Sequence, residues 1–409
     1  MDNGAFGGIK TNLNLSKSGI TFLIHLYQLA GIYIHIPFCK QACYYCNFHF
    51  STSLRHRDEM TAALLREIQY HTGGAEFPGM QFSKEEPIHT LYFGGGTPSI
   101  LPGEEIKTMT DAVRQTYRLL PDAEITLEAN PDDITPSKLA GWRAAGINRL
   151  SIGIQSFFDR DLKWMNRSHD AAQAQRALDT SLAAGFDNIS ADLIFGIPHL
   201  TDTDWEDNIN QLVRRKIPHI SCYALTVEPK TALAKMIIQH KKEDIDNDVQ
   251  ARQFEFLMQK LQEAGYEHYE ISNFALPGYR SRHNSSYWKG EKYLGIGPSA
   301  HSYDGNHRYW NIANNALYMD YLNRGVPFFE METLTEAQRF NEYILTTIRT
   351  IEGTDLNYLR NHFPKTMVDA LMLRLQKLPE EWFKTKDETV TLTRKGILLA
   401  DRITVALFD

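Results

Sequence analysis

Residues 31–46, GIYIHIPFCKQACYYC, run from an apolar, β-branched stretch straight into three cysteines, Cys39, Cys43 and Cys46. The first half, Ile32–Ile36, has the length and composition of a buried strand. The second half gathers three thiols in a C-x3-C-x2-C loop, which is metal-ligand spacing rather than a disulfide framework. The fourth cysteine, Cys222, stands alone far down a chain of 409 residues. Cysteine usage of this kind suits a reducing cytosol, so a cytoplasmic location is expected.

Outward from this strand the chain alternates. Short apolar runs recur at Thr90–Phe93, Ile125–Leu127, Arg149–Ile154, Ile189–Phe195 and Ile220–Leu225. Between them lie helical patterns at 54–70, 104–119, 136–145, 171–184 and 203–215, and another at 248–264 precedes an extended run at Tyr266–Ser272. Strands separated by helices at near 30-residue spacing predict parallel βα units. Six such units predict an α/β fold, an open partial (β/α)6 barrel rather than a closed eight-fold one. The barrel is expected over residues 30–272, with a connecting region at 273–334.

Residues 335–409 read differently: three helices, a hairpin at 382–393 and a last helix, a winged-helix-like pattern. This module carries 11 Lys or Arg against 11 Asp or Glu, so it lacks the basic face of a nucleic-acid reader. A packing or partner-binding role is expected. The net charge of −7 likewise supplies no pull toward nucleic acid or anionic lipid. Residues 1–29 are expected to be a poorly ordered lead-in. Their apolar tone is interrupted by His25 and Gln28, and neither a spanning helix nor a secretory signal is recognisable.

Three thiolates in one loop can hold three irons of a cubane and leave the fourth iron open to another ligand. A Cys3His zinc site is the rival reading of the triad, with His49 at a suitable spacing. The ends of the following strands favour the cubane. The second runs into Gly94-Gly95-Gly96-Thr97-Pro98, where missing side chains would let backbone amides and carbonyls approach a ligand. The next three place Glu128, Gln155 and Asp192 at the carboxyl ends of parallel strands, where barrel enzymes build their sites. Each alone is an ordinary structural polar residue. Together, beside a thiol loop, they suit a zwitterionic nucleoside, with hydroxyls on carboxylates and an amino-acid end on iron.

The segments YIHIPFCKQACYYC, LYFGGGTPS, ITLEANPDD, NRLSIGIQSF, ADLIFGIP, YEISNFALPG, HNSSYW and GIGPSAHS resemble the radical SAM (S-adenosylmethionine) haem chaperone family of HemW type. That family is close to oxygen-independent coproporphyrinogen III oxidase. The resemblance implies a 4Fe–4S cluster on Cys39, Cys43 and Cys46, and SAM contacts from Tyr33, Tyr45, Gly95, Gly96, Thr97, Glu128, Gln155, Arg167 and Asp192. It implies reductive SAM cleavage, with Arg167 pairing to the SAM carboxylate.

Between the two relatives the choice is between a binding protein and an enzyme. The decarboxylating oxidase typically carries C-x3-C-x2-C-x-C, whereas Phe48 stands at the last position here, and its long N-terminal cover has no recognisable counterpart in residues 1–30. HNSSYW (283–288) is a hallmark of the chaperone branch. Read without the family, His283 caps a turn and Tyr287 and Trp288 pack a core. Read with it, His283 is a candidate axial ligand to haem iron on an exposed connection near the barrel mouth. The resemblance therefore implies haem as cargo and haem-accepting proteins, some membrane-bound, as partners. The alternatives are coproporphyrinogen III decarboxylation and, behind it, radical or methyl transfer to a porphyrin.

Overall fold

The computed structural model describes residues 29–72 and 84–409. The lead-in expected at 1–29 lies outside the described residues except at its last position. Strands β1 (Leu29–Ile36), β2 (Pro87–Gly95), β3 (Arg118–Ala129), β4 (Arg149–Gln155), β5 (Ile189–Phe195) and β6 (His219–Ala224) pair in parallel in sequence order. Helices α1 (Arg57–Tyr70), α2 (Gly103–Thr116), α3 (Pro136–Ala144), α4 (Asp159–Met165), α5 (Ala171–Ala183) and α6 (Asp202–Arg214) connect them. The architecture is the expected open α/β barrel, with two differences.

The first is extent. Residues 273–334 are more than a connector, because β9 (Lys292–Ile296) pairs parallel to β1 on its free side. Strands β10 (His301–Tyr303), β11 (His307–Asn311) and β12 (Phe329–Thr333) continue antiparallel from it, giving a 12-stranded sheet. At the opposite edge the run expected as one strand at 266–272 is two, β7 (Glu267–Glu270) and β8 (Asn273–Ala275), with β8 antiparallel to β6. Antiparallel strands thus cover both edges of the parallel sheet. The second difference is that α2 stops at Thr116, and residues 118–119, expected as helix, already belong to β3.

The alternation along each strand sets its two faces. Ile32, Ile34, Leu91, Phe93, Ile125, Leu127, Ile152 and Leu193 form one buried apolar core. The other face, turned into the barrel, is polar: Thr90, Glu124, Arg149, Ser190 and His219 form its buried lower part. Helix α1 is fastened to the sheet extension through Glu67, fully buried. Its carboxylate accepts from Gly297 N (2.6 Å), Asn311 Nδ2 (2.7 Å) and the Tyr318 hydroxyl, which satisfies a charge otherwise costly to bury.

Helices α7 (Ala232–Ile238) and α8 (Asn247–Glu263) follow β6, α9 (Arg282–Trp288) carries HNSSYW, and α10 (Asn315–Arg324) links β11 to β12. The C-terminal residues form α11 (Glu336–Thr347), α12 (Leu356–His362), α13 (Lys365–Leu375), a small three-stranded sheet and two last short helices. Their apolar side chains, among them Phe340, Ile344, Leu371, Val390 and Leu407, make a second hydrophobic cluster separate from the barrel core.

Candidate cofactor site

The loop after β1 is held in place by its neighbours. Cys39 N donates to Ser51 O (3.0 Å) and Tyr44 N to Met165 O (3.1 Å). Gln41 Nε2 donates to Asn166 Oδ1 (2.9 Å), while Asn166 Nδ2 donates back to Ala42 O (2.7 Å). Asn166 caps α4 in the left-handed region (φ 59°), a conformation asparagine tolerates, and this turn brings Arg167 into the barrel mouth. Lys40 is anchored to Asp132 (2.8 Å) and Asp133 of the ANPDD segment.

The loop and the strand ends enclose a cavity of about 470 Å³. Its wall includes Cys39, Cys43, Cys46, Tyr45, Gly95, Gly96, Thr97, Glu128, Gln155, Arg167 and Asp192. Of the residues expected to contact SAM, Tyr33 alone is not on this wall. It sits one layer deeper, stacked on Tyr92 at 6.0 Å, with its hydroxyl 3.2 Å from His35 Nδ1. Cys222 is buried in the apolar core and is absent from the wall. His49, the rival zinc ligand, does not line the cavity either, and its Nε2 lies 2.7 Å from Asn315 Oδ1.

The glycine run works differently from the expectation. Gly95 N donates to Glu128 Oε2 (3.2 Å) and Gly96 N to Ile36 O (2.9 Å), so both amides are committed to the protein. A Cβ on Gly96 would stand 2.6 Å from Phe38 O, and one on Gly95, whose φ is +106°, would meet the His35 ring at 2.5 Å. The glycines let the cysteine loop lie against the end of β2.

Arg167 organises the wall. Its Nη1 reaches Cys43 Sγ (3.4 Å) and Tyr45 Oη (3.4 Å), and its Nη2 donates to Asn130 Oδ1 (2.8 Å) and Gly153 O (3.0 Å). Its Nε is buried without a partner, a donor waiting for an acceptor. Sequence reasoning singled out Arg167 but missed Asn130 and the Gln41–Asn166 clasp, although ANPDD and WMNR were both visible. Gln155 adopts φ 64°, a conformation rare for a side-chain-bearing residue and characteristic of sites under constraint.

The donor set fits the cofactors that the sequence implies. Three thiols lie on one wall, with Thr97 Oγ1 donating to Cys39 Sγ (3.4 Å), the type of contact that tunes cluster sulfurs. Burial pushes the Cys39 thiol up to about 11 despite the Thr97 hydrogen bond, so metal loading must displace protons. Opposite them, burial raises Glu128 to about 7, against the hydrogen bond from Tyr92, and Asp192 to about 6, against hydrogen bonds from serines. Two carboxylates that resist ionisation without a counter-charge suit a ligand bearing positive charge, such as a sulfonium or ammonium.

These carboxylates carry a pH signature. Glu128 faces Asp192, Tyr92, Tyr33 and Tyr223 and is half-buried on the cavity wall. Its folded pKa exceeds its ordinary value, so the folded state holds an extra proton between about 4.5 and about 7. Stability of the metal-free protein should therefore fall as pH rises through that window. Glu128→Gln should flatten the slope and be more stable at pH ~8 by about 1–2 kcal/mol, allowing for screening by cavity water. Urea denaturation on both sides of the window measures this; parallel slopes for the two proteins would refute it.

Comparison with known proteins agrees with this geometry. The Radical SAM superfamily matches residues 33–212. Similar over nearly the whole chain is the heme chaperone HemW of Mycobacterium tuberculosis, 34% identical and covering 92% of this chain and 94% of its own. That of Bacillus subtilis is 32% identical over 92% of this chain and 98% of its own. Among solved structures, coproporphyrinogen III oxidase (HemN) from Escherichia coli, a radical SAM enzyme, shares the fold with a TM-score of 0.79 over 97% of this chain and 94% of its own, at 21% identity. With the barrel, the thiol loop and similarity spanning nearly its full length, the chain belongs to the HemW family of radical SAM proteins.

Proposed function

We propose that this protein binds haem and delivers it to acceptor proteins, some membrane-bound, from the cytoplasm, with a 4Fe–4S cluster and SAM in a supporting or regulatory role. The observation that carries the reading is similarity over nine-tenths of the chain to relatives named heme chaperones. Cys39, Cys43 and Cys46 would hold the cluster, and Glu128, Gln155, Asp192 and Arg167 would orient SAM. Bound there, the pair supplies one-electron chemistry. Arg167 positions Cys43 and Tyr45, and the two half-buried carboxylates offset the positive charge of the ligand. Phe48, where the oxidase carries a cysteine, is 69% exposed on the cavity wall, which leaves the loop with three thiols. Among the described residues no helix is long and apolar enough to cross a membrane.

The test is one anaerobically reconstituted sample in three assays. Haem titration should develop a Soret band with about one haem per chain, and apomyoglobin added afterwards should take up that haem. Supplied with reductant and SAM, the same sample should form no protoporphyrinogen IX from coproporphyrinogen III. Multiple-turnover formation of that product, without haem transfer, would replace the reading with the oxidase.

A further inference from the structure

The motif HNSSYW lies in the floor of the barrel, not on an exposed connection at its mouth. Its helix, α9, is tied to β3: Glu124 accepts from Arg282 N (3.1 Å) and His283 N (3.0 Å), and the Ser281 hydroxyl accepts from Asn284 N (3.2 Å). This drives His283 into the barrel, where it is 1% exposed. Nδ1 lies 2.7 Å from Thr90 Oγ1 and Nε2 2.9 Å from Tyr287 Oη, so neither nitrogen is free for iron in this conformation. The sequence is shaped around this placement. A Cβ on Gly31 would stand 2.0 Å from Thr90 Oγ1 and 2.9 Å from His283 Nδ1, so glycine is needed where the imidazole enters.

We infer that His283 is a positioning residue for the SAM site, acting through Tyr92 on the Glu128 carboxylate. This rests on reading the barrel-mouth cavity as the SAM site. The imidazole stacks on the Tyr92 ring with centroids 4.9 Å apart and planes at 24°, and Tyr33 stacks on both members of the pair, 6.0 Å from Tyr92 and 6.5 Å from His283. Tyr92 Oη then donates to Glu128 Oε1 at 2.9 Å. A phenol has two side-chain torsions, and both are fixed when its ring is packed in a stack. Its hydroxyl therefore presents one hydrogen bond to Glu128, and Glu128 one orientation to the cavity. Glu124 and Glu128 stand four residues apart on the same strand face, so β3 holds the helix that brings His283 and also carries the carboxylate that His283 orients. Burial pushes the imidazole down to about 3, which keeps it a neutral ring suited to this apolar stacking contact.

The experiment is equilibrium dialysis of SAM against reconstituted protein, with iron content and thermal melting recorded on each sample. His283→Ala should weaken SAM binding about tenfold at unchanged iron content, the scale of one misplaced hydrogen bond to a charged group. Tyr92→Phe, which keeps the ring and loses the hydroxyl, should weaken it by a similar factor. The double variant should be no weaker than about the worse single one, because both act on one contact. His283→Phe should melt lower, having lost both hydrogen bonds, yet stay within about threefold of wild-type affinity by keeping the stack. Wild-type affinity in folded His283→Ala or in Tyr92→Phe would overturn the inference. Failure of the cluster-loaded wild-type protein to bind SAM would instead overturn the reading of the cavity.

Discussion

Serine in place of Cys39, Cys43 or Cys46 is expected to abolish the broad visible absorbance of the reconstituted protein and to bring iron from about four atoms per chain to below one. All three thiols lie on one cavity wall, in a loop fixed by backbone bonds to Ser51 and Met165 and by the Gln41–Asn166 clasp. The ligands are therefore presented together before metal arrives, and removing one leaves a cubane on two thiolates, which is labile. Cys222→Ser should retain full iron, because that side chain is 1% exposed within the apolar core and absent from the cavity wall. Metal analysis after anaerobic purification decides the matter. One zinc and no iron in the wild-type protein would overturn the cluster and with it the radical SAM chemistry. The geometry argues for iron, since the histidine that a zinc site would need, His49, does not line the cavity that the three thiols share.

How far the sequence could be read depended on the range of the interactions concerned. The parallel strands were legible because burial on both sheet faces leaves runs such as Ile189–Phe195 in the sequence, and the thiol loop because its ligands are local. Strands β9 to β12 were not, since their pairing joins β1 to a segment more than 250 residues away and leaves no local period. The fate of the glycine run was hidden for the same reason: only the folded chain shows that Phe38 and His35 fill the space above Gly95 and Gly96. His283 was misplaced because its motif follows an extended run and reads as an exposed connection, while the carboxylate that draws its helix into the barrel, Glu124, stands 159 residues earlier. Arg167 lay between these cases. The motif marked it, but its partners come from two separate loops and from strand β4.

Arg167→Ala should lower SAM affinity about a hundredfold and make the cluster easier to lose. The guanidinium is the charged group on the wall that touches both halves of the site; Thr97 bridges them more weakly, through Cys39 Sγ and Asn130 Nδ2 at 3.4 Å each. On one side Arg167 reaches Cys43 Sγ and Tyr45 Oη, each at 3.4 Å; on the other it bonds Asn130 Oδ1 (2.8 Å) and Gly153 O (3.0 Å). A hydrogen bond to a charged group contributes about 1.5–3 kcal/mol, and its buried partners add their own desolvation cost once it is gone. A loss near 3 kcal/mol corresponds to about a hundredfold in affinity. Arg167→Lys keeps the charge but has no planar fork, so it can serve the sulfur side or the Asn130 side, not both. It should recover less than about tenfold of the lost affinity. Equilibrium dialysis with iron quantification distinguishes ligand contact from scaffolding. If Arg167→Ala kept its iron and bound SAM like the wild type while melting several degrees lower, Arg167 would hold the loop and nothing else. If Lys restored full affinity, charge alone would suffice and the bridging geometry would be incidental. The unpartnered Nε argues against both outcomes, because a buried donor with no acceptor is expensive to keep unless a ligand supplies one.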